Sequence, residues 1–233
     1  MRCLALLSTA RAPLRPGAAR SLRAAAAALV FASALTTAAA EDIADRTQAT
    51  RAVTAERPSE RLAGLLWFVE NGTAADDKAV LPLLSDDEPR VRELAEQGVW
   101  ALWSRSGDAA TDALMGRGMT ELGARRFAAA IATYTEVIRR DPAFAEGWNK
   151  RATVYFLAGD YAKSLADCAE VLKRNPFHFG ALAGYGQIFF QQKRYDRAIE
   201  YWQRALDVNP NLSLAGNIEV ARKLRAAGQK NAT

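Results

Sequence analysis

Residues 161–176 read YAKSLADCAEVLKRNP, and the same pattern returns at 127–142 as FAAAIATYTEVIRRDP and at 195–210 as YDRAIEYWQRALDVNP. Each copy begins with an aromatic residue and ends with Asp-Pro or Asn-Pro. The three copies are 34 positions apart. A fixed period of this length is typical of a repeat protein, in which each unit buries its apolar face against its neighbours. The sequence therefore predicts an array of three similar units.

Each unit is predicted to consist of two helices. In the copy at 161–176, Leu165, Cys168 and Leu172 follow steps of three and four, which place them on one helical face. This helix ends before the Asp/Asn-Pro pair, because a residue that precedes proline is disfavoured in the α region. The remaining apolar patterns predict three partner helices, at about 111–123, 144–158 and 180–192. The expected fold class is all-α.

The repeated pattern resembles the tetratricopeptide repeat family, a 34-residue helix-turn-helix. The resemblance implies a right-handed α-solenoid with units at 111–144, 145–178 and 179–212. The first unit departs from the family pattern at Leu114 and Glu121. The matching residues of the second and third units are Trp148, Ala152, Tyr155, Tyr161 and Pro176, then Tyr185, Gly186, Phe189, Ala198, Trp202 and Pro210.

Helices are also predicted on both sides of the repeats. Residues 81–103 resemble a HEAT hairpin, and we expect a HEAT-like region at 59–106 that stacks on the first unit. Residues 41–58 are polar and aperiodic, which predicts a mobile linker. A capping helix is expected at 213–227. The residues of its apolar stripe are Leu214, Ile218, Ala221 and Leu224.

Residues 1–40 have the composition of an export leader. They contain five arginines and no acidic residue, an apolar run at 24–35, and the small residues Ala38, Ala39 and Ala40. Basic, apolar and small segments in this order indicate export, to the bacterial periplasm or to an organelle such as the chloroplast lumen or mitochondrion. An uncleaved membrane anchor is the alternative. The remaining chain has 31 − 5 = 26 basic and 26 acidic residues, so no nucleic-acid partner is predicted.

The stretch FGALAGYGQIFF, residues 179–190, contains three glycines. Gly186 lies 34 positions after Ala152 and 68 after Gly118, so it belongs to a column of small residues. We interpret this column as a place where two helices approach closely, and not as a phosphate-binding loop.

Candidate catalytic residues are few. Residues 41–233 contain one cysteine, Cys168, and one histidine, His178. Cys168 falls in the core column of its helix, where burial makes a thiol inert, and His178 is expected in an exposed loop between units. No enzymatic activity, metal or cofactor is predicted. A redox or enzymatic accessory role through Cys168 or His178, and a structural role through self-association, are the alternatives.

The resemblance implies that the first helices of the units form a concave groove that binds a peptide or helix of a partner protein. The groove residues that it implies are Met115, Met119, Leu122, Asn149, Thr153, Phe156, Ala183, Gln187 and Phe190. Chaperone-binding members hold a C-terminal carboxylate with lysine, asparagine and arginine. Here Met115, Met119, Gly180 and Gly184 occupy matching positions, so recognition of chaperone tails is not expected. The predicted function is a non-enzymatic interaction scaffold or assembly factor.

Overall fold

A computed structural model describes residues 43–230, and all regular secondary structure in this part of the chain is helical. Short 3-10 turns at Ala74–Asp76 and Leu81–Ser85 flank a short helix at Asp77–Val80. The helices are α1 (Arg46–Ala52), α2 (Pro58–Asn71), α3 (Asp77–Val80), α4 (Pro89–Trp103), α5 (Ala109–Gly123), α6 (Phe127–Arg140), α7 (Ala145–Leu157), α8 (Tyr161–Arg174), α9 (Phe179–Gln191), α10 (Tyr195–Val208) and α11 (Ala215–Lys230).

Three helical hairpins form the predicted repeat array. The first unit is α5 with α6, the second is α7 with α8, and the third is α9 with α10; the two helices of each unit pack against each other. The second helix of each unit ends before the Asp/Asn-Pro pair, and the Asp or Asn is its C-cap. The predicted all-α repeat fold is therefore confirmed, with helix ends within two residues of the expected positions.

The column of small residues is explained by what lies opposite it. In each unit the small residue of the first helix faces a residue sixteen positions later in the second helix, and both are buried. A Cβ atom at Gly118 would lie 2.6 Å from Tyr134 Cζ, and one at Gly186 would lie 2.5 Å from Trp202 Nε1. In the second unit, Ala152 and Cys168 belong to one buried cluster. Glycine therefore stands opposite an aromatic ring, and alanine opposite the smaller cysteine.

The segment predicted as a mobile linker contains helix α1, so the prediction for 41–58 is wrong. Asp45 caps this helix, since its side chain accepts a hydrogen bond from the amide of Gln48 at 2.9 Å. Ala49 and Val53, one helical turn apart, are buried. They pack against Gly64 of α2, where an added Cβ atom would lie 2.8 Å from the carbonyl oxygen of Ala49. Two buried positions are too few for the sequence to show a helical period.

We call residues 43–105 the N-terminal module. Its helices α1, α2 and α4 enclose a buried apolar cluster that includes Leu65, Phe68 and Leu102. Arg61 donates two hydrogen bonds to Asp86, with Nε–Oδ2 and Nη2–Oδ1 distances of 2.7 and 2.8 Å. This bidentate ion pair joins α2 to the segment before α4. The HEAT-like assignment of this region stays a prediction.

The N-terminal module packs on the third unit, and the prediction that it stacks on the first unit is wrong. Its apolar cluster takes in Phe179, Val208 and Leu212. Trp100 of α4 contacts the Phe179 ring edge-on, with centroids 5.0 Å apart. Gly180 leaves room for this contact, because a Cβ atom there would lie 2.5 Å from Trp100 Cη2. The chain therefore folds back, so that α4 faces the first helices of the array.

Helix α11 packs on the third unit and covers the C-terminal end of the array. Leu214, Ile218 and Ala221 are buried in the cluster that contains Trp202 and Ala205 of the third unit. Leu224, the fourth residue of the predicted stripe, is 40% exposed. The predicted leader, residues 1–40, lies outside the described residues, so export stays a prediction. Among the helices of residues 43–230, none is long and apolar enough to cross a membrane.

Candidate functional site

A cavity of about 450 Å³ lies between the N-terminal module and the first helices of the second and third units. Helix α4 forms one wall, and α7 and α9 form the opposite one. The cavity exists because α4 contacts the start of α9 through Trp100 but leaves the middle of α7 and α9 uncovered. The residues that α4 contributes are Glu93, Glu96, Gln97 and Trp100, and the segment before and at the start of α11 contributes Asn211, Leu212, Ser213, Leu214 and Asn217.

The wall formed by the repeats mixes apolar and polar side chains. Phe156 and Ile188 give it apolar surface, and Gly184 leaves open space, since an added Cβ atom there would meet only Cys168 Sγ, at 3.8 Å. The Gln187 side chain has no hydrogen-bond partner among the described residues. Its amide group can therefore donate to and accept from a bound molecule.

Five of the nine predicted groove residues line this cavity together. They are Asn149, Thr153, Phe156, Ala183 and Gln187. They lie together because α7 and α9, the first helices of the second and third units, present equivalent faces to the cavity.

The other four predicted groove residues lie elsewhere. Met115 is buried in the core of the first unit, Leu122 packs against the same core, and Met119 is 59% exposed. Phe190 is half-buried between Tyr195 and Trp202, with ring centroids 5.7 and 5.5 Å away. Of these four residues only Met119 lies on an uncovered face, whereas Met115, Leu122 and Phe190 pack within their own units.

Sequence reasoning missed the residues of α4 and of the segment before α11. The helical periodicity of α4 shows that this helix has an apolar face. It does not show which surface that face covers. One signal was present in the sequence: Trp100 and Trp103 lie three apart on one helix, and Gly180 and Gly184 offer small residues on another. A large aromatic side chain can pack over a glycine on another helix. The sequence offers several combinations of tryptophan and glycine, so this signal does not identify the pair that forms.

A fully buried carboxylate, Glu146 of α7, lies close to the contact between the N-terminal module and the third unit. Its Oε2 accepts hydrogen bonds from Asn149 Nδ2 at 2.9 Å and His178 Nε2 at 3.0 Å, and its Oε1 pairs with Lys150 Nζ at 2.9 Å. Burial alone would raise the pKa of Glu146, but the Lys150 charge and the His178 hydrogen bond outweigh burial and lower the pKa to about 2. Glu146 is therefore ionised at every physiological pH.

The family to which the repeats belong follows from the helix pairs and from a sequence comparison. The tetratricopeptide repeat family model matches residues 115–177 and 158–212. Residues 115–212 are tetratricopeptide repeats. The match covers the second and third units in full and most of the first. The resemblance inferred from the 34-residue period is thereby confirmed.

Curated relatives match this chain over its tetratricopeptide repeats and over only part of their own length. A TPR repeat-containing protein of Rhizobium etli is 37% identical over 108 residues, which are 46% of this chain and 53% of that protein. Hsp70-Hsp90 organizing protein 2 of Arabidopsis thaliana is 29% identical over 87 residues, 37% of this chain and 15% of its own. The chain thus spans about half or less of these two relatives.

Among solved structures, the Sgt2 TPR domain of Aspergillus fumigatus is similar in fold. It superposes with a TM-score of 0.51 and 19% sequence identity, and the match covers 54% of this chain and 85% of that domain. At this identity the likeness concerns the fold alone. It supports the hairpin array of the tetratricopeptide repeats.

His178, predicted to be an exposed loop histidine, is completely buried, so that prediction is wrong. It is the N-cap of α9, the first helix of the third tetratricopeptide repeat, where its Nδ1 accepts a hydrogen bond from the amide of Ala181 at 3.1 Å. The ring hydrogen is therefore on Nε2, which donates to Glu146. The imidazole stacks on Trp103 with centroids 4.4 Å apart. These contacts give His178 a role in holding the N-terminal module on the repeats.

Cys168 lies in the second helix of its tetratricopeptide repeat and is 3% exposed. Burial, with a smaller contribution from the charge of Asp167, raises the pKa of its thiol to about 12. The thiolate is the reactive form of cysteine, and it is scarce far below the pKa. Metal binding is not indicated either, since residues 43–230 contain no group of three or more histidine, cysteine or carboxylate side chains that could hold an ion.

We therefore expect Cys168 to resist thiol reagents until the fold opens. In a Cys3→Ser chain, labelling by a disulfide reagent at pH 8 should be at least about a hundredfold slower in the native than in the denatured protein, because both the thiolate fraction and the access are reduced. The measurement is the absorbance of the released thiol over time. Equally fast labelling in the two states would favour the redox alternative.

Proposed function

We propose that the chain is a non-enzymatic interaction scaffold that binds an extended segment of a partner protein in the cavity between α4, α7 and α9. The observation that carries this proposal is the cavity itself, which is lined by the first helices of the second and third repeats. Its volume of about 450 Å³ lies within the roughly 300–1,000 Å³ usual for ligand sites. The proposal includes action in an exported compartment, which the composition of residues 1–40 predicts.

The lining suits a peptide chain. A peptide backbone needs both donors and acceptors along its length, and the amides of Gln97, Gln187 and Asn217 line the cavity on different elements. Phe156 and Trp100 provide aromatic surface for side chains, and aromatic anchors commonly dominate the affinity of interfaces. Hsp70-Hsp90 organizing proteins, whose names describe work on chaperones, are among the relatives, which supports a role in binding proteins.

Chaperone C-terminal tails are not the expected ligands. The carboxylate of such a tail would need a cationic side chain, and the described lining contains neither lysine nor arginine. We therefore propose an internal or extended segment of the partner, bound through its backbone and apolar side chains.

The experiment starts from random twelve-residue peptides displayed on phage and selected on the full chain. A selected peptide is synthesised with a fluorophore, and its affinity is measured by anisotropy. Phe156→Ala should weaken binding roughly thirtyfold, which corresponds to about 2 kcal/mol. Ala183→Trp, which fills the cavity, should abolish binding.

The matched control is Lys173→Ala, a change at an exposed position of α8, which should leave the affinity unchanged. Circular dichroism and thermal melting establish that each variant is folded. Phe190→Ala tests a predicted groove residue that lies outside the cavity, and we expect a smaller effect for that reason. If folded Ala183→Trp binds the selected peptides as tightly as the native chain, binding takes place elsewhere and the proposal is wrong.

A further inference from the structure

We propose that the cavity selects segments carrying a lysine or arginine side chain, which Glu93 and Glu96 of α4 receive. This inference rests on the proposed function and specifies the chemistry of the partner. The charge of the α4 wall, an unused acceptor on the opposite wall and the positions of the nearby cations support it.

Two carboxylates without partners stand on the α4 wall. Glu93 and Glu96 are three residues apart, so they share a helix face, and both line the cavity. Neither forms an ion pair or a hydrogen bond with a described residue. Like charges at this spacing destabilise a helix. The helix dipole does not compensate them, since its effect is confined to the first turn, which here begins at Pro89.

Arg92, the cation that could pair with these carboxylates, makes other hydrogen bonds. Arg92 precedes Glu96 by four residues, a spacing that permits an ion pair. Its Nη1 instead donates to the carbonyl oxygens of Asp86 and Asp87, at 2.7 and 3.1 Å. On the facing helix α7, Lys150 is paired with Glu146. The carboxylates of Glu93 and Glu96 therefore remain available to a ligand.

The opposite wall holds an acceptor that is also unused. Asn149 is 5% exposed and lines the cavity. Its Nδ2 donates to Glu146, and because a carboxylate can only accept, this bond fixes the orientation of the amide. Asn149 Oδ1 then accepts no hydrogen bond from any described residue. Because Asn149 lines the cavity, this oxygen can accept a hydrogen bond from a bound cationic side chain.

These groups together describe the ligand. Lysine brings three N–H donors and arginine five, and neither accepts hydrogen bonds, which matches two free carboxylates and an unused amide oxygen. The surrounding Trp100, Phe156 and Leu214 are apolar, so the cationic residue should be flanked by apolar ones. A segment with acidic side chains would meet repulsion from Glu93 and Glu96.

The test compares three labelled twelve-residue peptides on the full chain by fluorescence anisotropy. Each repeats the unit X-Leu-Gln-Ala three times, with X being lysine, glutamine or glutamate. The lysine peptide should bind at least about tenfold more tightly than the glutamate peptide, with the glutamine peptide between them. In the Glu93→Gln/Glu96→Gln double variant this preference should fall below about threefold, and Glu93→Lys/Glu96→Lys should reverse it.

The outcomes separate this inference from the proposed function. If the three peptides bind equally to the native chain and Ala183→Trp prevents all binding, the cavity binds peptides but the charge selection is wrong. A lysine preference that survives both double variants also overturns the inference. If N-acetyl-lysine amide displaces the lysine peptide at a concentration equal to that of unlabelled lysine peptide, the cavity is a site for small amines and the inference is wrong.

Discussion

Gly186→Leu should lower the free energy of unfolding by about 3 kcal/mol, the upper end of the usual cost of overpacking. The added Cβ atom alone would lie 2.5 Å from Trp202 Nε1 and 2.8 Å from Trp202 Cγ. Trp202 cannot move aside easily, because it is buried and its indole N–H donates to the carbonyl oxygen of Ala183 at 3.2 Å. For a chain of this size the melting temperature should fall by roughly 6–12 °C.

The same helix offers a matched control. Gly184 is two residues away in α9, and a Cβ atom there meets only Cys168 Sγ at 3.8 Å, an ordinary contact. Gly184→Ala should therefore keep or raise the melting temperature, since alanine is favoured over glycine within a helix by up to about 1 kcal/mol. Gly186→Ala should lower it. Equal melting temperatures for the two alanine variants would contradict the packing explanation of the glycine column.

The repeat fold could be predicted because its determinants are local. The two helices of a unit are joined by a short turn, and the partners Gly186 and Trp202 are only sixteen positions apart. Each unit repeats the same packing of its two helices, so the 34-residue period shows which positions are buried. Cys168 follows the same rule. It lies opposite Ala152, which leaves less room than the glycines that lie opposite an aromatic ring in the other two units.

The docking of the N-terminal module could not be predicted, because it depends on contacts between distant parts of the chain. Trp103 and His178 are 75 positions apart, and no period relates them. His178 follows an Asn-Pro pair, where an exposed loop is the usual expectation. Its burial is caused by Trp103, which covers it from another module. An isolated aromatic residue in a sequence does not show which surface it will cover.

The candidate site could be predicted only in part. The first helices of adjacent repeats present equivalent faces to one side, so Asn149 and Ala183 were predictable members of a common surface. The limits of the cavity are set by α4, whose position the sequence does not reveal. For this reason Glu93 and Trp100 were missed, while Met119, in the same register as the cavity residues, lies on an uncovered face. The roles of Met115, Met119, Leu122 and Phe190 in binding stay predictions.

Glu146→Ala should destabilise the fold by about 3–5 kcal/mol, as removal of one partner from a buried ionic cluster usually does. The variant leaves His178 Nε2 and Asn149 Nδ2 without their acceptor in a buried place, and it removes the counter-charge of Lys150. His178 also stacks on Trp103, so the contact between the N-terminal module and the third repeat should loosen. Chemical denaturation followed by tryptophan fluorescence measures both effects, since Trp103 lies at this contact.

The contribution of the Glu146 charge has a defined pH dependence, which Glu146→Gln isolates. The pKa of Glu146 is about 2 in the folded chain, against 4.5 for an unperturbed glutamate, and this difference corresponds to on the order of 3 kcal/mol. Because the folded-state pKa is the lower one, this stability is fully present above pH 4.5 and is lost as the pH falls towards 2. The native chain should therefore be more stable than Glu146→Gln at pH 7, and the difference should shrink between pH 4.5 and pH 2. Other acidic residues titrate in both proteins and cancel in the comparison. A difference that stays constant from pH 5 to pH 2 would mean that the shape of Glu146, and not its charge, holds the N-terminal module and the repeats together.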